Sequence, residues 1–132
     1  MKNNVLKLIK YLYYFSLIVL LILYLFPGSL IGYFLYEDLG KQPDLISNPI
    51  GTSINHALAF LCLTILGLMS HMRDKSFNQT AIFLISLSII LELSHYFIPN
   101  RSFEFLDLFA NLFGTLIAIF IILFYKKLNE KN

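Results

Sequence analysis

The sequence predicts an all-α fold, an integral membrane bundle of four transmembrane helices forming a single domain with both termini cytoplasmic. Composition is the first observation behind that class. Of the 132 residues, 58% are hydrophobic and 14% charged, and mean hydropathy is +0.72, too apolar a balance for a domain with a water-facing surface. The second is four apolar runs near the length of about 20 residues that a hydrocarbon core of about 30 Å demands of a helix. The third is the basic residues, which gather in three of the five segments outside those runs.

The first span covers about residues 6–26, runs through Tyr11 to Phe26 and stops at Pro27-Gly28. An early apolar run behind lysines also fits a signal peptide. No small-x-small cleavage site comes after it, however, and the run exceeds a usual signal core, so the helix is read as retained. Three further spans cover 53–70, 79–97 and 105–125. Lys2, Lys7 and Lys10 precede the first, Arg73 and Lys75 lie between the second and third, and Lys126, Lys127 and Lys131 come after the fourth, eight of the ten basic residues. Lys41 and Arg101 share the other two connections with Glu37, Asp38, Asp44 and Glu104. The positive-inside bias therefore puts the termini in the cytoplasm.

The loop 27–52 is the longest connection. Its piece Ser29 to Tyr36 is apolar and aromatic, and Gly40, Pro43, Pro49 and Gly51 punctuate the remainder of the loop. It reads as an interfacial segment, with Tyr24, Tyr96 and Tyr125 in the same aromatic belt. The functional alternative is a lid over an outer-leaflet site.

Ionisable residues inside the spans carry most of the functional signal, since a charge near the bilayer centre costs at least about 2.5 to 3.5 kcal/mol. His56 opens the second span, Glu92 and His95 close the third, and Asp107 and Asn111 open the fourth. At about 1.5 Å rise per residue all five fall within about 10 Å of the outer boundary. Glu92 and His95 are spaced i, i+3 above Ser88; Asp107 and Asn111 are spaced i, i+4, with Gly114 and Thr115 continuing their stripe. Both faces should point inward. Arg101 sits just above this layer in a short connection, and its planar fork suits Glu92, Asp107 or a lipid phosphate equally. Ser102 is a candidate N-cap for the fourth span.

The segments Asn55 to Phe60, Glu92 to His95, Pro99 to Ser102 and Asp107 to Gly114 resemble the VanZ-like family of small bacterial membrane proteins. The resemblance covers roughly residues 52–121 and is carried by His56, Glu92, Pro99, Arg101, Asp107, Asn111 and Gly114. Two positions depart from the family pattern: Thr52 stands where an acidic residue is common, and His95 where glutamine is common. The first removes a partner of His56, and the second adds a titratable group. The resemblance implies a link to glycopeptide (teicoplanin) resistance and the envelope of a bacterial cytoplasmic membrane, and supplies no catalytic mechanism.

Plainer readings stand beside these. Buried Glu, Asp, His and Arg can pair with one another and pin helix register without a ligand. His71 suits the end of the second span, where its charge complements the helix dipole. Cys62, the one cysteine, reads as a small core residue. His56, His95, Glu92 and Asp107 are suitable zinc ligand types, but no HExxH pattern appears, so the sequence assigns no metal and no cofactor. No serine stands in a nucleophile elbow. A net charge of +2 without a basic block argues against nucleic acid.

The function these residues favour is non-enzymatic. An outward-facing polar pocket binds an anionic amphiphile or lipid-linked envelope component, with Arg101 on the anionic head and Glu92, His95, His56, Asp107 and Asn111 completing the site. The alternatives are an intramembrane enzyme on a lipid-linked substrate, with His56, Glu92 and Asp107 as catalytic candidates, and a structural subunit of a membrane complex. Expected partners are accordingly a membrane lipid, another membrane protein or a second copy of the chain.

Overall fold

The computed structural model describes residues 2–43, 46, 49, 51–72 and 74–129. Asp44, Arg73 and Lys131, which entered the charge argument, lie outside them. Five helices succeed one another along the chain: α1 Lys2–Leu25, α2 Leu30–Tyr36, α3 Ser53–Ser70, α4 Phe77–Ser94 and α5 Phe105–Asn129, with no strand among the described residues. Within α1, α3, α4 and α5 lie four segments long and apolar enough to cross a membrane, Asn4–Leu25, Ser53–Ser70, Phe77–Ser94 and Phe105–Asn129.

Solvation of the surface agrees with that assignment. The fully buried positions include Thr64, Ser88, Glu92, Asn111 and Thr115, whereas Phe15, Ile18, Phe109, Phe113 and Phe120 face outward. Polar inside and apolar outside is the arrangement a helical bundle takes in lipid, where backbone bonds close within each helix and polar side chains must find one another.

Helix ends obey local chemistry. Pro27 lacks an N–H and Gly28 turns the chain at φ 94°, after which Ser29 caps α2 by accepting the Gly32 N–H at 2.9 Å. The loop then doubles back, with the Ser29 N–H donating to the Leu39 carbonyl at 2.7 Å. Gly32 makes the return feasible, because any Cβ there would overlap the Lys41 carbonyl. Leu30–Tyr36 is thus a short helix, and its outer residues Tyr33, Phe34 and Leu35 are exposed as an interfacial segment requires.

The third span starts two residues earlier and ends three residues earlier than expected. Beyond Ser94 the chain tightens into i to i+3 bonds, His95 to Glu92, Tyr96 to Leu93 and Phe97 to Ser94, because Pro99 disfavours helical geometry just before it. Ile98 to Arg101 then form a turn closed at 3.3 Å, with proline second and Asn100 third at φ 59°, a conformation asparagine tolerates. Ser102 does not cap α5: its hydroxyl donates to the exposed Glu104 carboxylate at 3.5 Å. The last span continues one turn beyond Tyr125, carrying Lys126 and Lys127 at the end where the dipole favours cations.

The C-terminal ends of α1 and α4 meet the N-terminal ends of α3 and α5, so the four long helices alternate in direction and the termini share one end. That basic end is closed by His71 edge-on to Tyr13 at 5.9 Å and Lys126 over Phe77 at 5.1 Å. His71 also reaches the Gly67 carbonyl at 3.0 Å, as its place at the end of α3 implies. Cys62 is corrected from a core residue to an exposed one. Leu63 and Thr64 beside it are the buried positions instead.

The central contact joins α3 to α5. A Cβ on Gly114 would collide with the Ala57 carbonyl oxygen and come within 3.1 Å of the Leu61 nitrogen, so the helices touch backbone to backbone. Gly114→Leu should therefore lower stability by at least about 1 to 3 kcal/mol through overpacking, while Leu116→Phe, on the lipid-facing side, should change it little. Thermal unfolding of both variants in detergent measures the contrast.

Candidate functional site

Four helix ends deliver five side chains to one point: Tyr24 from α1, His56 from α3, Glu92 from α4, and Asp107 and Asn111 from α5. Each faces inward because its neighbours one turn away do so. Ser88 precedes Glu92, Phe60 comes after His56 and Leu20 precedes Tyr24, all buried.

His56 is the hub. Its Nδ1 lies 3.8 Å from Glu92 Oε2 and its Nε2 3.6 Å from Asp107 Oδ2. Tyr24 donates its hydroxyl to Asn111 Oδ1 at 2.7 Å, and the tyrosine oxygen lies 2.8 Å from His56 Nδ1. Asn111 Nδ2 donates to the Ser88 carbonyl at 3.3 Å and to Glu92 Oε2 at 3.5 Å. Those acceptor-only partners fix the amide orientation. A tyrosine has one proton, spent on Asn111, so it accepts from His56 Nδ1–H.

The carboxylates are held from behind. Glu92 Oε1 accepts the Glu104 N–H at 3.2 Å and lies 3.3 Å from His95 Nδ1. Glu104 immediately precedes α5, so a fully buried acid from α4 caps a neighbouring helix where its dipole favours negative charge. Asp107 lies in the first turn of the same helix and accepts the Ser53 hydroxyl at 2.5 Å.

Arg101 takes a different partner from those the sequence offered. Its Nη2 donates to the Leu23 carbonyl at 2.6 Å and its Nε to the Phe26 carbonyl at 3.4 Å, so one edge of the fork caps the end of α1. Among the described residues Nη1 makes no hydrogen bond. Partial burial pushes the guanidinium below its ordinary value, while Tyr24, Glu92 and Asp107 pull it back up. It remains a cation.

Above the hub the doubled-back loop forms a roof. Gln42 Nε2 lies 3.2 Å from His56 Nε2, and Asn55 Nδ2 donates to the Pro43 carbonyl at 2.8 Å. Two cavities open beneath it. One, of about 220 Å³, is polar, with Thr52, Asn100, Ser102, Glu104 and Asp107 in its wall. The other, of about 190 Å³, is mostly apolar, with Leu23, Leu30, Ile31, Pro43 and Ala59. Ser29, Gln42, His56, His95 and Arg101 line both. His56, Glu92 and Asp107 each offer one donor atom within 4.8 Å of the others, a spacing that can hold a metal ion.

The model of the VanZ/LLP1 family matches residues 11–126, most of the chain. The chain belongs to the VanZ/LLP1 family. Comparison with curated proteins and with solved structures gives no match. In this VanZ/LLP1 chain the residues that carried the resemblance converge. His56, Glu92, Asp107 and Asn111 form the hub, Pro99 sets the turn presenting Arg101, and Gly114 sets the distance between α3 and α5. Of the two departures, Thr52 lines the polar cavity, and His95 binds Glu92 and stacks on Tyr24 at 5.6 Å.

Sequence reasoning missed Tyr24, Gln42 and Ser53. Tyr24, read as a belt residue, is only 7% exposed, whereas Tyr96 and Tyr125 are exposed. A signal existed, since Tyr13, Leu20 and Tyr24 share one face of α1 at spacings of seven and four. Gln42 had none, because its position depends on how the loop returns. Tyr24→Phe should cost about 1 to 3 kcal/mol, as it leaves His56 Nδ1 and Asn111 Oδ1 buried without a partner. Tyr14→Phe, on the exposed face, should cost nothing measurable. Thermal unfolding midpoints of the two variants provide the comparison.

Proposed function

We propose that this protein is a non-enzymatic component of a bacterial cytoplasmic membrane that binds an anionic amphiphile, a lipid or lipid-linked envelope component, from the outer leaflet. The observation that carries this reading is a continuous gradient of cavity chemistry. The polar cavity shares its His56 and Arg101 wall with the mostly apolar one, which shares Leu23, Tyr24 and Ala59 with a groove of about 270 Å³ between α1 and α3. That groove is lined by Phe15, Val19, Leu20, Cys62 and Leu63. Head, neck and chain of an amphiphile match that order.

Recognition would be divided by chemistry. Arg101 spends one edge on α1 and offers Nη1 to an anionic oxygen, and a planar guanidinium pairs well with carboxylate or phosphate. Asn111 and Tyr24 keep the hub rigid beneath it. The apolar groove contributes about 25 cal/mol for each Å² of chain it covers, which favours a long-chain ligand over a free anion. Such binding would influence envelope or glycopeptide-antibiotic response, as the resemblance implies. An intramembrane enzyme is the second reading, favoured by His56 standing between two carboxylates. Conversion of a retained lipid would mark it.

Native mass spectrometry of the purified chain should show a retained amphiphile that Arg101→Ala loses and Arg101→Lys recovers only in part, with the midpoint of Arg101→Ala lowered only by the lost caps on the Leu23 and Phe26 carbonyls. Loss of stability with unchanged lipid in the folded fraction would contradict the proposal. Orientation has its own check. In a Cys62→Ser background, Asp38→Cys should react with an impermeant maleimide in intact cells, and Lys127→Cys only after permeabilisation.

A further inference from the structure

Glu92 and Asp107 are a difficulty for an anionic ligand. Glu92 is fully buried and Asp107 stands in the wall of the polar cavity, and among the described residues no Lys or Arg nitrogen lies within 4.0 Å of either carboxylate. Besides imidazoles only neutral donors reach them, the Ser53 hydroxyl, the Glu104 N–H and the Asn111 amide, and the chemistry of the partners assigns the imidazole protons. With Tyr24 committed to Asn111, His56 carries its proton on Nδ1. The amide nitrogen of Gln42 can only donate, so Nε2 accepts it at 3.2 Å. With that lone pair on Gln42, His56 Nε2 has no proton to give Asp107 Oδ2, which stands 3.6 Å away as a second electron-rich atom.

His95 adds a second, independent observation. Its Nδ1 donates to Glu92 Oε1, which leaves Nε2 as a lone pair. That nitrogen is buried with no partner, in a residue only 3% exposed whose ring lines both cavities. An orphaned buried lone pair on the imidazole that holds Glu92 is open to a proton donor or a cation.

We infer that His56, Glu92 and Asp107 form a divalent-metal site of zinc-binding chemistry in the floor of the polar cavity, with His95 as a second imidazole at its edge. Imidazole and carboxylate together suit zinc. Donors on a tetrahedral zinc ion with bonds near 2.0 to 2.1 Å stand about 3.4 Å apart, close to the 3.6 Å between His56 and Asp107. The outer sphere is in place as well. Ser53 holds Asp107 Oδ1, and Glu104 N–H with His95 holds Glu92 Oε1; Asp107 Oδ2 then faces His56 Nε2, while Glu92 Oε2, which also accepts from Asn111, stands on the Nδ1 side. A remaining coordination position toward the cavity would take an oxygen of the anionic head beside Arg101. This step rests on the amphiphile reading for the ligand, but not for the ion.

The test uses the full chain in detergent, dialysed against zinc chloride, with metal read by elemental mass spectrometry and lipid by native mass spectrometry. Wild type should retain zinc, and its thermal midpoint should rise saturably with zinc and fall again with chelator. Asp107→Asn should weaken zinc binding by more than about tenfold, and Ser53→Ala, which touches no metal, by about 10- to 100-fold. Arg101→Ala should keep zinc and lose lipid. A folded wild type that neither retains zinc nor shifts its midpoint overturns the site, as does undiminished binding by Asp107→Asn. Lipid retained equally with zinc and with chelator overturns the ion's role toward the head and leaves the amphiphile reading standing. Zinc bound with no lipid in any sample overturns the amphiphile reading and leaves the ion site.

Discussion

Two carboxylates buried beside one imidazole set the terms for the rest of this bundle. Polar side chains cannot be left unmatched against hydrocarbon, where each unsatisfied group costs several kcal/mol. Glu92 and Asp107 are therefore tolerable only if neighbouring helices bring donors to them. The donors come from several helices and from the turn before α5: Tyr24 of α1 by way of Asn111, Ser53 from α3, His95 from the end of α4, and the Glu104 N–H. The requirement to satisfy two acids fixes which helix ends meet and at what height.

That requirement also explains the loop. A hub buried from the side by lipid-facing helices can still be reached from above, and the doubled-back segment after α1 covers that approach with Gln42 against His56. Arg101 ties the same end together from the other side, bonding the last carbonyls of α1. Roof, wall and floor are thus held by hydrogen bonds between segments distant in the chain, and the two cavities lie among them. Structural support and ligand recognition share residues here. The edge of Arg101 that caps α1 leaves the rest of the fork for a ligand, and Asp107, held by Ser53 at Oδ1, keeps Oδ2 in the wall of the polar cavity beside His56.

Much of this was legible in the sequence, for identifiable reasons. Length and apolarity define spans in lipid more sharply than in water, so Ser53–Ser70 and the start at Phe105 were placed to the residue. His56, Glu92, Asp107 and Asn111 stood out because ionisable groups inside apolar runs are costly, and helical spacing then gave their faces. Tertiary effects were not legible. Tyr24 looks the same in sequence whether it anchors at a headgroup or closes a buried network. Arg101 has several chemically equal partners, and only the turn at Pro99-Asn100 directs it to α1. Cys62 is small and apolar enough for a core, yet faces outward because Leu63 and Thr64 take the inward positions beside it.

The central claim is that the buried polar groups are there to satisfy one another across helices, and a double-mutant cycle between Glu92 and Asn111 tests it most directly. Glu92→Met and Asn111→Leu each strand the other along with further partners, Tyr24 for Asn111 and the Glu104 N–H and His95 for Glu92; those further losses recur in the double variant and cancel in the cycle, which leaves the Glu92–Asn111 pair. Measured by reversible unfolding in detergent, the double variant should be less destabilised than the sum of the singles by about 0.6 to 1.7 kcal/mol, the scale of interhelical hydrogen bonds in membranes. Losses that add within about 0.3 to 0.5 kcal/mol, as independent sites do, would contradict it.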